Sequence, residues 1–95
     1  MRILWSPQAR DDLFRIFDHI LADNPTAATA MLERIETSVT QLRDYPALGR
    51  PGTVDGTREL VVPRSPYIAA YETLDNRVHI LAVRHAARLW PEAFS

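Results

Sequence analysis

The sequence predicts an α+β domain of two layers, an αα-hairpin packed on an antiparallel sheet. Two apolar stripes of helical period fill the first half, each opened by a capping residue and a proline, Ser6-Pro7 and Asn24-Pro25. Three strand-like runs fill the second half, separated by turn residues at 63–66 and at Asp75-Asn76. A fourth short run opens the chain, so the order is β-α-α-β-β-β. Helices that cover one face of such a sheet bury both apolar surfaces at once.

Residues 2–5 (Arg-Ile-Leu-Trp) read as the first strand. Ser6 is a good N-cap, and Pro7 is preorganised for the first helical position. Asp11 and Asp12 suit the positive end of the helix dipole. Leu13, Ile16, Phe17, Ile20 and Leu21 place one stripe on a helix of about 16 residues, which Asp23-Asn24 ends. The second helix carries Ala28, Leu32, Ile35, Val39 and Leu42, a seam of alternating fours and threes. The short loop between them makes an αα-hairpin. Tyr45-Pro46 stops the second helix, and residues 46–57, rich in Gly and Pro, form a loop. Strands are expected over 58–62, 67–73 and 77–85, with a two-residue hairpin at Asp75-Asn76, where both residues tolerate positive φ. The segment 86–95 has room for a turn of helix.

Ninety-five residues make one domain, 1–95, and 46% hydrophobic content supplies one core. The chain lacks cysteine, which removes disulfides and thiolate metal sites. Its three histidines lack ligand spacing, so no metal is expected. The N-terminal apolar run is too short for a signal peptide, and no stretch approaches a membrane span. A cytoplasmic protein with no membrane partner is the expectation. Net charge is −1, so no global basic field draws nucleic acid. Residues 1–48 hold five Arg against seven acidic residues, and residues 49–95 hold six against five. All 11 basic residues are Arg, so any cationic chemistry falls to the planar guanidinium fork.

The turns imply a register. A two-residue turn pairs Leu74 with Arg77, Tyr71 with Ile80 and Tyr67 with Arg84; a four-residue turn pairs Val62 with Tyr67 and Arg58 with Tyr71. One face then carries Leu60, Val62, Tyr67, Ala69, Tyr71, Val78, Ile80 and Ala82, with Arg58 and Arg84 at its ends. The other carries Glu59, Val61, Ile68, Ala70, Glu72, His79, Leu81, Val83 and His85. The helices cover one face. The apolar middle of the other, with Val61, Ile68, Ala70, Leu81 and Val83, is expected to seat a partner. His79 opposite Glu72 reads as a cross-strand ion pair, and His19 as a solvated helix residue. Trp5 is expected beneath the helices.

Several phrases then stand out in order: Trp5-Ser6-Pro7-Gln8-Ala9, Pro46-Ala47-Leu48-Gly49-Arg50-Pro51-Gly52, Gly56-Thr57-Arg58-Glu59-Leu60-Val61-Val62-Pro63, Pro66-Tyr67, Val83-Arg84-His85 and Trp90-Pro91. With the βααβββ layout, the chain resembles the RelE/ParE superfamily over nearly its whole length, and its ParE-like branch in particular. The resemblance implies the toxin of a type II toxin–antitoxin pair. Its partner would be a cognate antitoxin, through which alone it would meet operator DNA. The RelE-like branch cuts mRNA in the ribosome; the ParE-like branch poisons DNA gyrase. RNA cleavage needs cations and acid–base groups around one phosphate. The strand lysines of the RelE-like branch fall near Glu59 and Val61, and its next arginine falls on Ile68. Arg84 matches a strand arginine used by some of the nucleases.

The resemblance therefore implies a gyrase-directed toxin without a cofactor. Its target contacts would come from Arg50, Arg58, Arg64, Arg84, Arg88 and Trp90. The alternative is a ribosome-dependent mRNA endonuclease built on Arg84, His85, Arg88 and Tyr67. A third reading is an inactive fold that only binds its antitoxin. Trp90 reads as a lid on the core, and Phe94 as either lid or partner anchor.

Overall fold

Ser6 joins the first strand, the first helix and the far side of the sheet. In the computed structural model, which describes residues 1–87, β1 spans Arg2–Trp5 and α1 spans Pro7–Leu21. Ser6 Oγ accepts the Ala9 N–H at 3.0 Å and donates to the Leu81 carbonyl at 3.0 Å. The Ser6 N–H reaches the Ile80 carbonyl at 3.0 Å. Asn24 Oδ1 caps α2 (Pro25–Thr40) through the Ala27 N–H at 3.1 Å. Both caps are those the sequence predicts. A single 3-10 turn, Gln41–Arg43, carries the chain out of α2.

The strands are β1, β2 (Arg50–Pro51), β3 (Arg58–Val61), β4 (Tyr67–Leu74) and β5 (Arg77–His85), in the order β1-β5-β4-β3-β2. The two-layer α+β architecture is as expected, with two differences. β1 runs parallel to β5, from Arg2↔Arg77 to Trp5↔Ile80, so the sheet is mixed. Residues 50 and 51, expected within a loop, pair antiparallel with Glu59 and Arg58. Neither pairing has a local sequence signal, because each depends on where distant segments meet.

Arg58 lies opposite Tyr71, as the four-residue turn predicts. Asp75 and Asn76 take φ of 54° and 59°, the conformation of a two-residue hairpin turn. From there Leu74↔Arg77 runs in register to Tyr71↔Ile80. The next pair is Ala70↔Ala82, which leaves Leu81 as the extra residue of a β-bulge. The expected Tyr67–Arg84 pair is therefore wrong: Tyr67 faces His85, and Arg84 faces Ile68. Because side chains alternate, the one-residue shift exchanges the faces of Ala82, Val83, Arg84 and His85. Val83 joins the core under the helices at 2% exposure rather than the open face. The cause lies in α1. Beyond the end of β1, the free edge of β5 is held by Ser6 at the Leu81 carbonyl and by Asp12 Oδ2 at the Val83 N–H, 3.0 Å away.

Asp12 thus clamps a strand. The first turn of α1 holds no acidic residue, so the expected dipole role does not arise. Ile35, Val39 and Leu42 of the α2 seam are buried with Leu60, Val62, Tyr71, Val78 and Ile80 of the sheet. Trp5, Leu13 and Ile16 pack against that core, Trp5 as expected. Tyr71 also organises the loop before β2. Its hydroxyl donates to the Pro46 carbonyl at 2.7 Å and accepts the Gly49 N–H at 2.9 Å. Burial raises the phenol above its ordinary pKa, while the Gly49 bond and the Arg58 guanidinium pull it down. No helix among the described residues is long and apolar enough to cross a membrane.

Candidate functional site

The sheet face away from the helices carries two rows across β3, β4 and β5: Val61–Ile68–Arg84 and Glu59–Ala70–Ala82. Ile68, Ala70 and Ala82 are buried, Leu81 is half-buried, and Val61 is 49% exposed. Glu59 is buried and held. Arg50 reaches its Oε1 through Nε at 3.3 Å and Nη2 at 3.2 Å, and the Thr53 N–H reaches Oε2 at 3.2 Å. Arg58 donates to the Gly49 carbonyl at 2.8 Å. Arg50 and Arg58 are thus tied to the loop they stabilise. Arg64 is exposed in the β3–β4 turn at φ 57°, where its carbonyl accepts Arg34 Nη1 at 3.0 Å. These three thus lie on β2, on β3 and in the β3–β4 turn, and Arg84 lies on β5. His79 stands opposite Glu72, but the expected ion pair is not formed, and His79 Nε2 is buried without a hydrogen-bond partner.

A second region lies where α1 crosses the end of the sheet. Asp12, Arg15, Ile16 and His19 recur at helical spacing along one side of α1. With Tyr67, Val83, Arg84 and His85 they line a cleft of about 390 Å³. The His85 ring meets Tyr67 edge-on, with centroids 5.9 Å apart and an interplanar angle of 82°. His85 Nδ1 accepts the Ala87 N–H at 3.1 Å. Tyr67, Arg84 and His85, singled out from the sequence, therefore come together. Arg88, Trp90 and Phe94 lie outside the described residues. Asp12, Arg15 and His19 were missed as site residues. The 12–15/16–19 spacing was visible, but which sheet end it faces is a tertiary fact. Among the described residues the cleft holds cationic and neutral donors beside one carboxylate, a setting for an anion. Among the described residues, no group of three or more His, Cys, Asp or Glu is placed to hold a metal.

Two apolar grooves also lie among the described residues. One lies on the helical hairpin between Arg10, Leu13, Phe14, Phe17 and Leu32, with Phe14 68% exposed. The other lies at the β3 edge between Leu48, Arg50, Val61, Pro63 and Gln41, with Leu48 50% exposed. Val62 donates to the Tyr67 carbonyl, so the alternation of an antiparallel ladder turns the Val61 N–H and C=O away from β4. β2 reaches only as far as Glu59. Among the described residues, nothing pairs with the sheet edge at Val61.

The family described as the ParE toxin of type II toxin–antitoxin systems, parDE, matches residues 3–90. Y4kP of Sinorhizobium fredii, named as a candidate toxin, is 44% identical over 96% of this chain and 94% of its own. Toxin RelE2 of Caulobacter vibrioides is 40% identical over 93% of this chain and 98% of its own. Among solved structures, the chromosomal ParDE system of P. aeruginosa superposes with a TM-score of 0.83 at 28% identity. That match covers 90% of this chain and 95% of the other. The RelBE2 toxin–antitoxin complex of Mycobacterium tuberculosis gives 0.59 at 25% identity, over 88% and 95% of the two chains. The chain belongs to the ParE toxin family of the RelE/ParE superfamily, the toxins of type II toxin–antitoxin systems.

Proposed function

We propose that this toxin acts in the ParE manner, by binding and inhibiting DNA gyrase, and that a cognate antitoxin neutralises it at the open edge of β3. The observation that carries the first part is the row Val61–Ile68–Arg84 beside the buried Glu59. An RNA-cleaving face must neutralise a phosphorane and move two protons. Here a carboxylate already paired with Arg50 and two aliphatic side chains stand where cations would be needed. Inhibition by binding needs no such chemistry.

The antitoxin part rests on the surface. Of the apolar residues expected to seat it, Val61 is the most exposed, and it lies beside exposed Leu48 and an unpaired strand edge. An added strand with apolar anchors fits that edge. Ile68 and Ala70 are buried, and Val83 belongs to the core, so they shape this face or support it from behind.

The nuclease reading has one observation in its favour: Tyr67, Arg84 and His85 line a single cleft. A purified assay separates the two readings. The toxin should block gyrase supercoiling and leave ribosome-bound mRNA intact, and Arg84→Ala should weaken the block by about tenfold, the scale of one charged contact. Cleaved mRNA with unaffected gyrase would reverse the assignment.

A further inference from the structure

The cleft between α1 and the end of the sheet is not needed for antitoxin docking at β3, and its chemistry differs from that of both apolar grooves. We infer that it is a binding site for a phosphate group, with Arg15 and His19 on one wall and Tyr67 and His85 on the other. This goes beyond the choice between gyrase and ribosome, since it concerns an anion that either target could present.

Asp12 is the carboxylate of the cleft, and its Oδ2 already accepts the Val83 N–H at 3.0 Å. Its role there is positional: it fixes α1 against β5 and sets the distance between the walls. Arg15 and His19 are exposed, one turn apart on the same side of α1. The His85 ring is oriented twice, by Tyr67 at 5.9 Å and by the Ala87 N–H on Nδ1. Because Nδ1 accepts, the neutral ring carries its proton on Nε2, which makes that nitrogen a donor. Among the described residues that line it, donors thus outnumber acceptors, in a chain whose net charge is −1.

Shape selects among anions. A carboxylate offers two oxygens in one plane. A tetrahedral phosphate can accept from both walls at once, and charge-assisted bonds to it are the strong kind. Half-buried Ile16 and buried Val83 floor the cleft and lower the local dielectric under the anion. The phosphate could come from a nucleic-acid backbone or from a free phosphate, and the same geometry serves both.

The test uses the full chain freed from its antitoxin, followed by amide NMR at constant ionic strength. Inorganic phosphate should give saturable shifts at residues 15–19 and 85–87 that chloride does not. Arg15→Gln and His19→Gln change exposed side chains, so both should keep the wild-type spectrum elsewhere. Combined, they should weaken phosphate binding by about tenfold or more. A short DNA duplex that shifts the same residues identifies a polynucleotide backbone as the source. Phosphate binding without duplex binding identifies a free phosphate. Absence of saturable shifts, or equal affinity in the double variant, overturns the site. Binding of a polyglutamate peptide but not of phosphate also overturns it, in favour of an acidic protein segment.

Discussion

Gly49→Ala should destabilise the fold by about 3 kcal/mol, the upper end of overpacking costs. A Cβ at Gly49 would lie 2.7 Å from Tyr71 Cε1, 2.8 Å from Tyr71 Oη and 2.9 Å from the Glu59 carbonyl. None of these can retreat cheaply. The Tyr71 ring is fully buried, its hydroxyl is fixed by Pro46 and by Gly49 itself, and the Glu59 carbonyl belongs to a paired strand. For a domain of this size that cost lowers Tm by roughly 12–24 °C. Gly56→Ala is the control. A Cβ there meets nothing within 4 Å, but φ is +80°, so only the conformational penalty of about 1 kcal/mol applies. Thermal unfolding of the two variants decides the matter. Equal losses would mean that crowding by Tyr71 is not what excludes a side chain at position 49.

Val61→Asp should leave the fold intact and reduce antitoxin affinity by about 100-fold, the effect of losing one central apolar anchor and burying a charge in its place. Val61 is half exposed, so the substitution costs the free toxin little. Ile68, at 7% exposure, would not serve, because an aspartate there would destabilise the toxin itself. Calorimetric titration with the antitoxin measures the loss, and cells carrying both genes should no longer be rescued. Unchanged affinity would move the antitoxin elsewhere. The helical groove around Phe14 would then be the antitoxin's docking surface.

Much of the fold was legible in the sequence because its signals are local. Ser6-Pro7 and Asn24-Pro25 cap the helices through their own side chains, and Asp75-Asn76 sets a hairpin through its own φ values. The bulge at Leu81 has no such signal. It is imposed by Ser6 and Asp12, more than 65 residues away in sequence, on a strand edge that β1 leaves open. Its consequence was large, since it moved Val83 into the core and Arg84 to the outer face. The cleft was half legible for the same reason. Tyr67, Arg84 and His85 are close along β4 and β5, whereas Arg15 and His19 join them only through the docking of α1. Gly49 appears in the sequence as one glycine of a loop, and only the structure shows that Tyr71 occupies the space a side chain would need.

The gyrase proposal requires that this toxin arrest cells through DNA replication rather than through loss of mRNA. The most direct measurement follows DNA synthesis and protein synthesis separately, by pulse labelling, after induction without the antitoxin. DNA synthesis should fall first while protein synthesis continues. Early loss of protein synthesis would contradict it and assign the activity to mRNA cleavage. Continued growth with both intact would contradict it too, and would make this chain an antitoxin-binding protein without a toxic target.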